Sequence, residues 1–224
     1  MAKRRKLKQS AKSERERNYD RRSRGLQPGR QIIVACEGRT EVIYFTELRR
    51  SLRLSKEMVK IEQDHPDPLS VLNHALRLRA QAQETSDLPD SLEAWCVFDT
   101  EVAGANNAFV EAVNRAADEN VALAVSNPAF EFWLLLHFSE TSSPFPDGPS
   151  CKRALRQHVP EYHETMNLFG VIENRIDKAV EYARRLRQNH AIPHNQPYPN
   201  PSTTVDRLVD AIKALAATVR PYCI

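Results

Sequence analysis

Two short apolar runs that stop abruptly at acidic residues constrain this chain more than any other feature. Ile32-Ile33-Val34-Ala35-Cys36 runs into Glu37-Gly38 and then Arg39-Thr40-Glu41, and Ala94-Trp95-Cys96-Val97-Phe98 ends in Asp99-Thr100-Glu101. Runs this short, bounded by glycine or polar residues and rich in β-branched and aromatic side chains, read as fully buried strands. Strands without a polar alternation belong to a parallel sheet covered on both faces.

The rest of the chain follows that reading. Strand 31–36 is followed by a helix from about Glu41 to Leu52, a short strand Val59-Lys60-Ile61, and a helix after Asp67-Pro68 with Leu69, Leu72, Leu76 and Leu78 along one side. Strand 94–98 then leads to a helix from Asn106 to Glu119 carrying Phe109, Val110, Val113 and Ala117, and to a strand over 121–125. Repeated β-α-β order predicts an α/β fold with a mostly parallel sheet and helices on both faces. Beyond a Ser/Pro/Gly loop at 139–149, helical patterns at 150–158, 173–189 and 203–219 predict a helical C-terminal part without further strands. The expected organisation is a disordered basic tail over 1–29, an α/β core over 30–138, and a helical extension over 139–224 packed on it.

Composition removes several function classes. With 224 residues, 41% of them hydrophobic, the chain can bury a full core as one domain. No apolar run approaches the roughly 18–20 residues that span a bilayer, and the basic N-terminus lacks the apolar stretch of a secretory signal. Cys36 and Cys96 fall in predicted strands, and Cys151 and Cys223 stand alone without a C-x-x-C pair, which speaks against zinc and a disulfide framework. A cytoplasmic protein without membrane contact is expected. No glycine-rich phosphate loop occurs, and the seven histidines form no recognisable constellation.

A net charge of +3 hides an asymmetry. Residues 1–30 carry twelve Lys or Arg, among them Lys3, Arg4, Arg5 and Lys6, against three acidic residues, so the remainder is net −6. A polybasic arm on an acidic body fits contact with a nucleic-acid backbone, and it equally fits a solubilising tail.

In a parallel sheet, functional groups gather beyond the carboxyl ends of the strands, where Glu37, Asp99, Glu101 and Ser126-Asn127 are expected to meet. Like charges held a few Å apart stay ionised together only beside a cation. Oxygen donors with open positions suit Mg2+ or Mn2+, and such a site reads as metal-assisted phosphodiester hydrolysis. Glu37 and Asp99 would hold one ion, with Glu101 helping that ion or a second; Glu37 as a general base is the alternative. A third motif, Ser126-Asn127-Pro128-Ala129-Phe130-Glu131-Phe132-Trp133-Leu134-Leu135-Leu136-His137-Phe138, predicts a helix buried on nearly every side, with Pro128 at its first position and Asn127 as its N-cap. Glu131 falls in its first turn, near the other carboxylates, and His137 reads as a core imidazole. Asn127 and Glu131 would orient the site, while Arg39 and the basic arm would engage phosphates.

These motifs, Cys36-Glu37-Gly38-Arg39-Thr40-Glu41 with Tyr44-Phe45, Val97-Phe98-Asp99-Thr100-Glu101, the run through Trp133, and Asn200-Pro201-Ser202-Thr203-Thr204-Val205, together resemble the RloB-like family over about residues 30–216. The resemblance implies a Toprim-type fold, in which a glutamate after the first strand and an acidic pair after a later one bind Mg2+; Glu37 matches the former, Asp99 and Glu101 the latter. The pair reads Asp-x-Glu where the broader pattern is Asp-x-Asp. The resemblance further implies a nuclease-like component of prokaryotic antiviral defence, acting on nucleic acid, with an AAA-type ATPase as a possible partner. A catalytically silent regulatory subunit, binding nucleic acid or the ATPase, is the rival expectation. A primase-like nucleotidyl transferase would share the carboxylates and need a basic nucleotide pocket, which the sequence does not display.

Overall fold

The computed structural model describes residues 30–63, 67–85, 91–100, 107–189 and 198–219. Five strands form one sheet in the order β2-β1-β3-β4-β5: β1 Gln31–Cys36, β2 Val59–Gln63, β3 Leu92–Asp99, β4 Ala122–Asn127 and β5 Ser202–Thr203. The first four are parallel, with Val34 between Ile61 and Trp95 in register, and Trp95 opposite Ala122. Helices α1 Arg39–Ser51, α2 Pro68–Thr85 and α3 Asn107–Asp118 make the crossovers, and α4 Phe130–Leu135, α5 Gly148–Arg156, α6 Phe169–Ile172, α7 Ile176–Asn189 and α8 Val205–Val219 follow. No helix among the described residues is long and apolar enough to cross a membrane.

Alternation along β1 separates two cores. Ile32, Val34 and Cys36 face one side with Trp95 and Val97, and that side is covered by α1 and every helix from α4 onward. Ala35 faces the other with Cys96 and Phe98, under Val71, Leu72 and Ala75 of α2 and Phe109 and Ala116 of α3. Helices thus lie on both faces, and the C-terminal part shares one apolar mass with β1, β3 and β4. Each large aliphatic or aromatic side chain buried there contributes roughly 1.5–3 kcal/mol of hydrophobic transfer.

Three local expectations are corrected. The buried stripe of α3 is Phe109, Ala112 and Ala116, whereas Val110 is 52% exposed and Ala117 lies in solvent, because a step of three residues from Phe109 and then one of four select 112 and 116. The C-terminal part does contribute a strand, since β5 pairs antiparallel with the end of β4, Ser126 opposite Thr203 and Asn127 opposite Ser202. Thr204 fastens it, its hydroxyl accepting from Val125 N–H at 2.9 Å and donating to the Leu123 carbonyl at 3.2 Å. That pairing keeps Asn127 extended as the last residue of β4. Its amide donates to the Tyr198 carbonyl at 2.8 Å, the Asn127–Pro128 bond is cis, and α4 begins two residues later with Ala129, not Asn127, at the N-cap.

Candidate active site

Chain order sets the place of the site. From β1 the chain crosses to β2 on one side, then returns to lay β3 on the other, so the direction of winding reverses between β1 and β3. Helices depart to opposite faces at such a boundary and leave a crevice beyond the carboxyl ends of the strands. Glu37 and Asp99 stand at that boundary.

Glu37 follows the last residue of β1 and bends toward β3. Its N–H donates to the Val97 carbonyl at 3.0 Å, and its Oε2 accepts the Asp99 N–H at 3.2 Å. It is buried, and burial raises its pKa, with the Asp99 N–H opposing that shift and the Asp67 charge adding to it. Asp99, half-buried at the end of β3, is pushed well above the usual carboxylate range, first by burial and then by the charges of Glu41, Glu131 and Glu37, against a hydrogen bond from the Phe130 backbone.

Glu41 was not singled out from the sequence, and the structure brings it into the same group. It is 4% exposed, and its pKa is pushed up to about 8 by burial and by Glu37, Glu131 and Glu164, with its own backbone hydrogen bond opposing. The signal was available. A helix starting at Arg39 tilts its side chains toward its N-terminus, so the third residue of the helix folds back over the strand end. Gly38 makes room for it: a Cβ at that position would lie 2.6 Å from Glu41 Oε2.

Glu131, in the first turn of α4, is buried and held by two groups from the helical part. The Tyr162 hydroxyl donates to its Oε1 at 2.8 Å, and Lys152 Nζ of α5 stands 3.9 Å from the same oxygen. Burial raises the pKa of Glu131, while Lys152 and Tyr162 hold it down. Among the described residues, Lys152 is the single cation that forms an ion pair with any of Glu37, Glu41, Asp99 and Glu131.

The other expected residues are scattered. Arg39 is exposed at the first position of α1, and Asn127 spends its amide on Tyr198. Glu101 and the basic residues Lys3, Arg4, Arg5 and Lys6 lie outside the described residues. His137 is a core group, its Nδ1 3.0 Å from the Trp133 carbonyl and its pKa pushed down to about 4 by burial.

Whether these side chains suit a divalent ion can be judged from their chemistry. Among the described residues, no three His, Cys, Asp or Glu side chains are set as a ready-made metal cage. Mg2+ commonly takes only one or two carboxylates and completes its shell with water and substrate phosphate. Glu37 and Asp99, adjacent, oxygen-only and without an ion-paired cation among the described residues, meet that requirement. The arrangement can therefore gather positive charge, from a metal or a basic ligand, at the end of the sheet.

The profile of a family described as RloB-like protein matches residues 32–212. No curated protein and no solved structure matches the chain.

Proposed function

Because the chain belongs to the RloB-like family, we propose that it is a metal-dependent nuclease of prokaryotic defence, Toprim-like in its sheet, that hydrolyses nucleic-acid phosphodiesters beside an AAA-type ATPase partner. The observation that supports this most is the contact between the Glu37 carboxylate and the Asp99 N–H at the reversal of the sheet, with Glu41 and Glu131 close enough to oppose the ionisation of Asp99. Repulsion of that kind is costly unless a cation arrives to relieve it.

In this reading Glu37 and Asp99 hold Mg2+ or Mn2+, joined by Glu101 from the segment after β3. The bound ion would supply Lewis-acid polarisation of the phosphoryl oxygens and a more acidic attacking water. Glu41, which keeps its proton below about pH 8 in the free site, adds negative charge behind Glu37 once a cation draws that proton off. Glu131, steadied by Tyr162, fixes the far wall, and Asn127 supports it by pinning the end of β4 to Tyr198. Arg39 and the basic arm with Lys3, Arg4, Arg5 and Lys6 engage backbone phosphates, a contact that gives affinity without sequence preference.

The test is cleavage of end-labelled DNA and RNA with and without Mg2+ or Mn2+. Metal-dependent cleavage is expected to fall at least about 100-fold in Glu37→Gln and in Asp99→Asn, the equivalent of about 3 kcal/mol of barrier. Cleavage that survives both substitutions overturns the proposal. A silent binding subunit is the second reading, favoured by the lack of three preset ligands among the described residues. It requires that nucleic acid bind without being cut under any metal, with the ATPase partner present as well as absent.

A further inference from the structure

Among the described residues, one cation at the rim comes from neither the sheet nor its crossovers. Lys152 of α5 lies between two carboxylates of different character. Glu131 is buried and fixed by Tyr162, whereas Glu164 is 63% exposed at its side chain and meets Lys152 Nζ at 2.5 Å. The loop carrying Glu164 is tied down by its backbone: Thr40 Oγ1 donates to the Glu164 carbonyl at 2.7 Å, and Arg156 Nε donates to the Tyr162 carbonyl at 3.0 Å. Thr40 is also the residue before Glu41. Glu164 thus reaches over the carboxylate group from the helical side, with a fixed main chain and an exposed acid paired to Lys152.

We propose that Lys152 is the phosphate-positioning residue of the site, and that the Glu164 carboxylate occupies its ammonium until a substrate phosphate takes that place. The proposal rests on the nuclease reading for its substrate class and deepens it by naming the group that receives the phosphate. Glu131 keeps Lys152 at the rim throughout, since a buried carboxylate hydrogen-bonded to Tyr162 does not follow the substrate. Glu164 can leave, because an exposed pair is only weakly held, while an ammonium–phosphate contact is a charge-assisted hydrogen bond of greater strength. No bond is made or broken in the exchange: one anionic oxygen replaces another at Nζ. Glu164 then acts on selectivity as well, repelling anions too weakly held to displace it.

The experiment is calorimetric titration of the full chain with thymidine 3′,5′-bisphosphate, with and without Mg2+, for the unmodified protein, Glu164→Gln, Lys152→Gln, Lys152→Arg and the double variant Lys152→Gln/Glu164→Gln. Glu164→Gln is expected to bind about 2- to 5-fold tighter, as release of an exposed pair allows. Lys152→Gln should bind about 10-fold weaker, and Lys152→Arg should keep most of the affinity. The gain from Glu164→Gln must vanish when Lys152 is already Gln. A gain of equal size in both backgrounds would be a general charge effect and overturns the proposal, as does unchanged affinity in Lys152→Gln or no binding by the unmodified protein. These readings need no turnover. Cleavage that depends on Glu37 while bisphosphate binding ignores Lys152 would leave the nuclease standing and sink this inference alone.

Discussion

Asp206 and Glu41 are buried almost equally, each in the first turn of a helix, yet one is matched and the other is not. Asp206 of α8 is 1% exposed and receives both terminal nitrogens of Arg187, each at 2.6 Å, with Arg187 Nη1 also donating to the Thr203 carbonyl. Glu41 of α1 is 4% exposed, lies among carboxylates and has no ion-pair partner among the described residues. Helix position favours both. Burial by itself therefore does not single out a candidate site carboxylate; burial without a countercharge is the sharper criterion.

The contrast can be broken most directly at its matched end. Arg187→Leu would leave Asp206 buried beside no cation, and urea denaturation should show a loss of about 3–5 kcal/mol. A loss below about 1 kcal/mol would mean that the pairing is not what makes the burial of Asp206 tolerable. The unmatched end gives the next largest effect, through pH. The Glu41 pKa of about 8 stands above its ordinary 4.5, so the native state holds this proton more firmly than the unfolded chain does. Stability from that source is complete below the ordinary value and drains away as pH rises through 8. Glu41→Gln removes the slope, and across that window it should gain on the unmodified protein by about 2–4 kcal/mol. Parallel stability curves from pH 4 to 9 would show that Glu41 carries no unmatched charge. The smallest effect belongs to an exposed pair, Lys213 with Asp177, whose side chain is 93% exposed. Lys213→Ala should change stability by less than about 0.5 kcal/mol, and a larger loss would place packing of the lysine stem above its charge.

Much of this was readable in the chain. The four parallel strands and their helices follow from short apolar runs separated by 3.6-residue periodicity, and the meeting of Glu37 with Asp99 follows from both ending central strands. What escaped is instructive in each case. A two-residue strand such as Ser202–Thr203 has no periodicity to detect; it exists because Thr204 and Asn127 satisfy backbone groups far away in sequence. Asn127 carried a good capping signal, and the antiparallel pairing with β5 overrode it. Glu41 was hidden because an acidic residue in a first helical turn has an ordinary explanation, and only the missing side chain at Gly38 hints that its carboxylate folds inward. Lys152, Tyr162 and Glu164 lay in a part of the chain whose pattern speaks of helices alone, and nothing local marks them as neighbours of Glu131.

Those last three residues have a consequence for how the molecule can be taken apart. Glu131 belongs to the sheet half of the chain, but its hydrogen-bond donor and its cation both come from the later part, over a shared apolar layer whose members include Ile32 of β1 and Ala216 of α8. Loss of the chain beyond Phe138 would strip Glu131 of both supports and uncover the part of that sheet face that α1 and α4 do not reach. The rim is a joint product of two stretches of polypeptide, so neither half can inherit it alone.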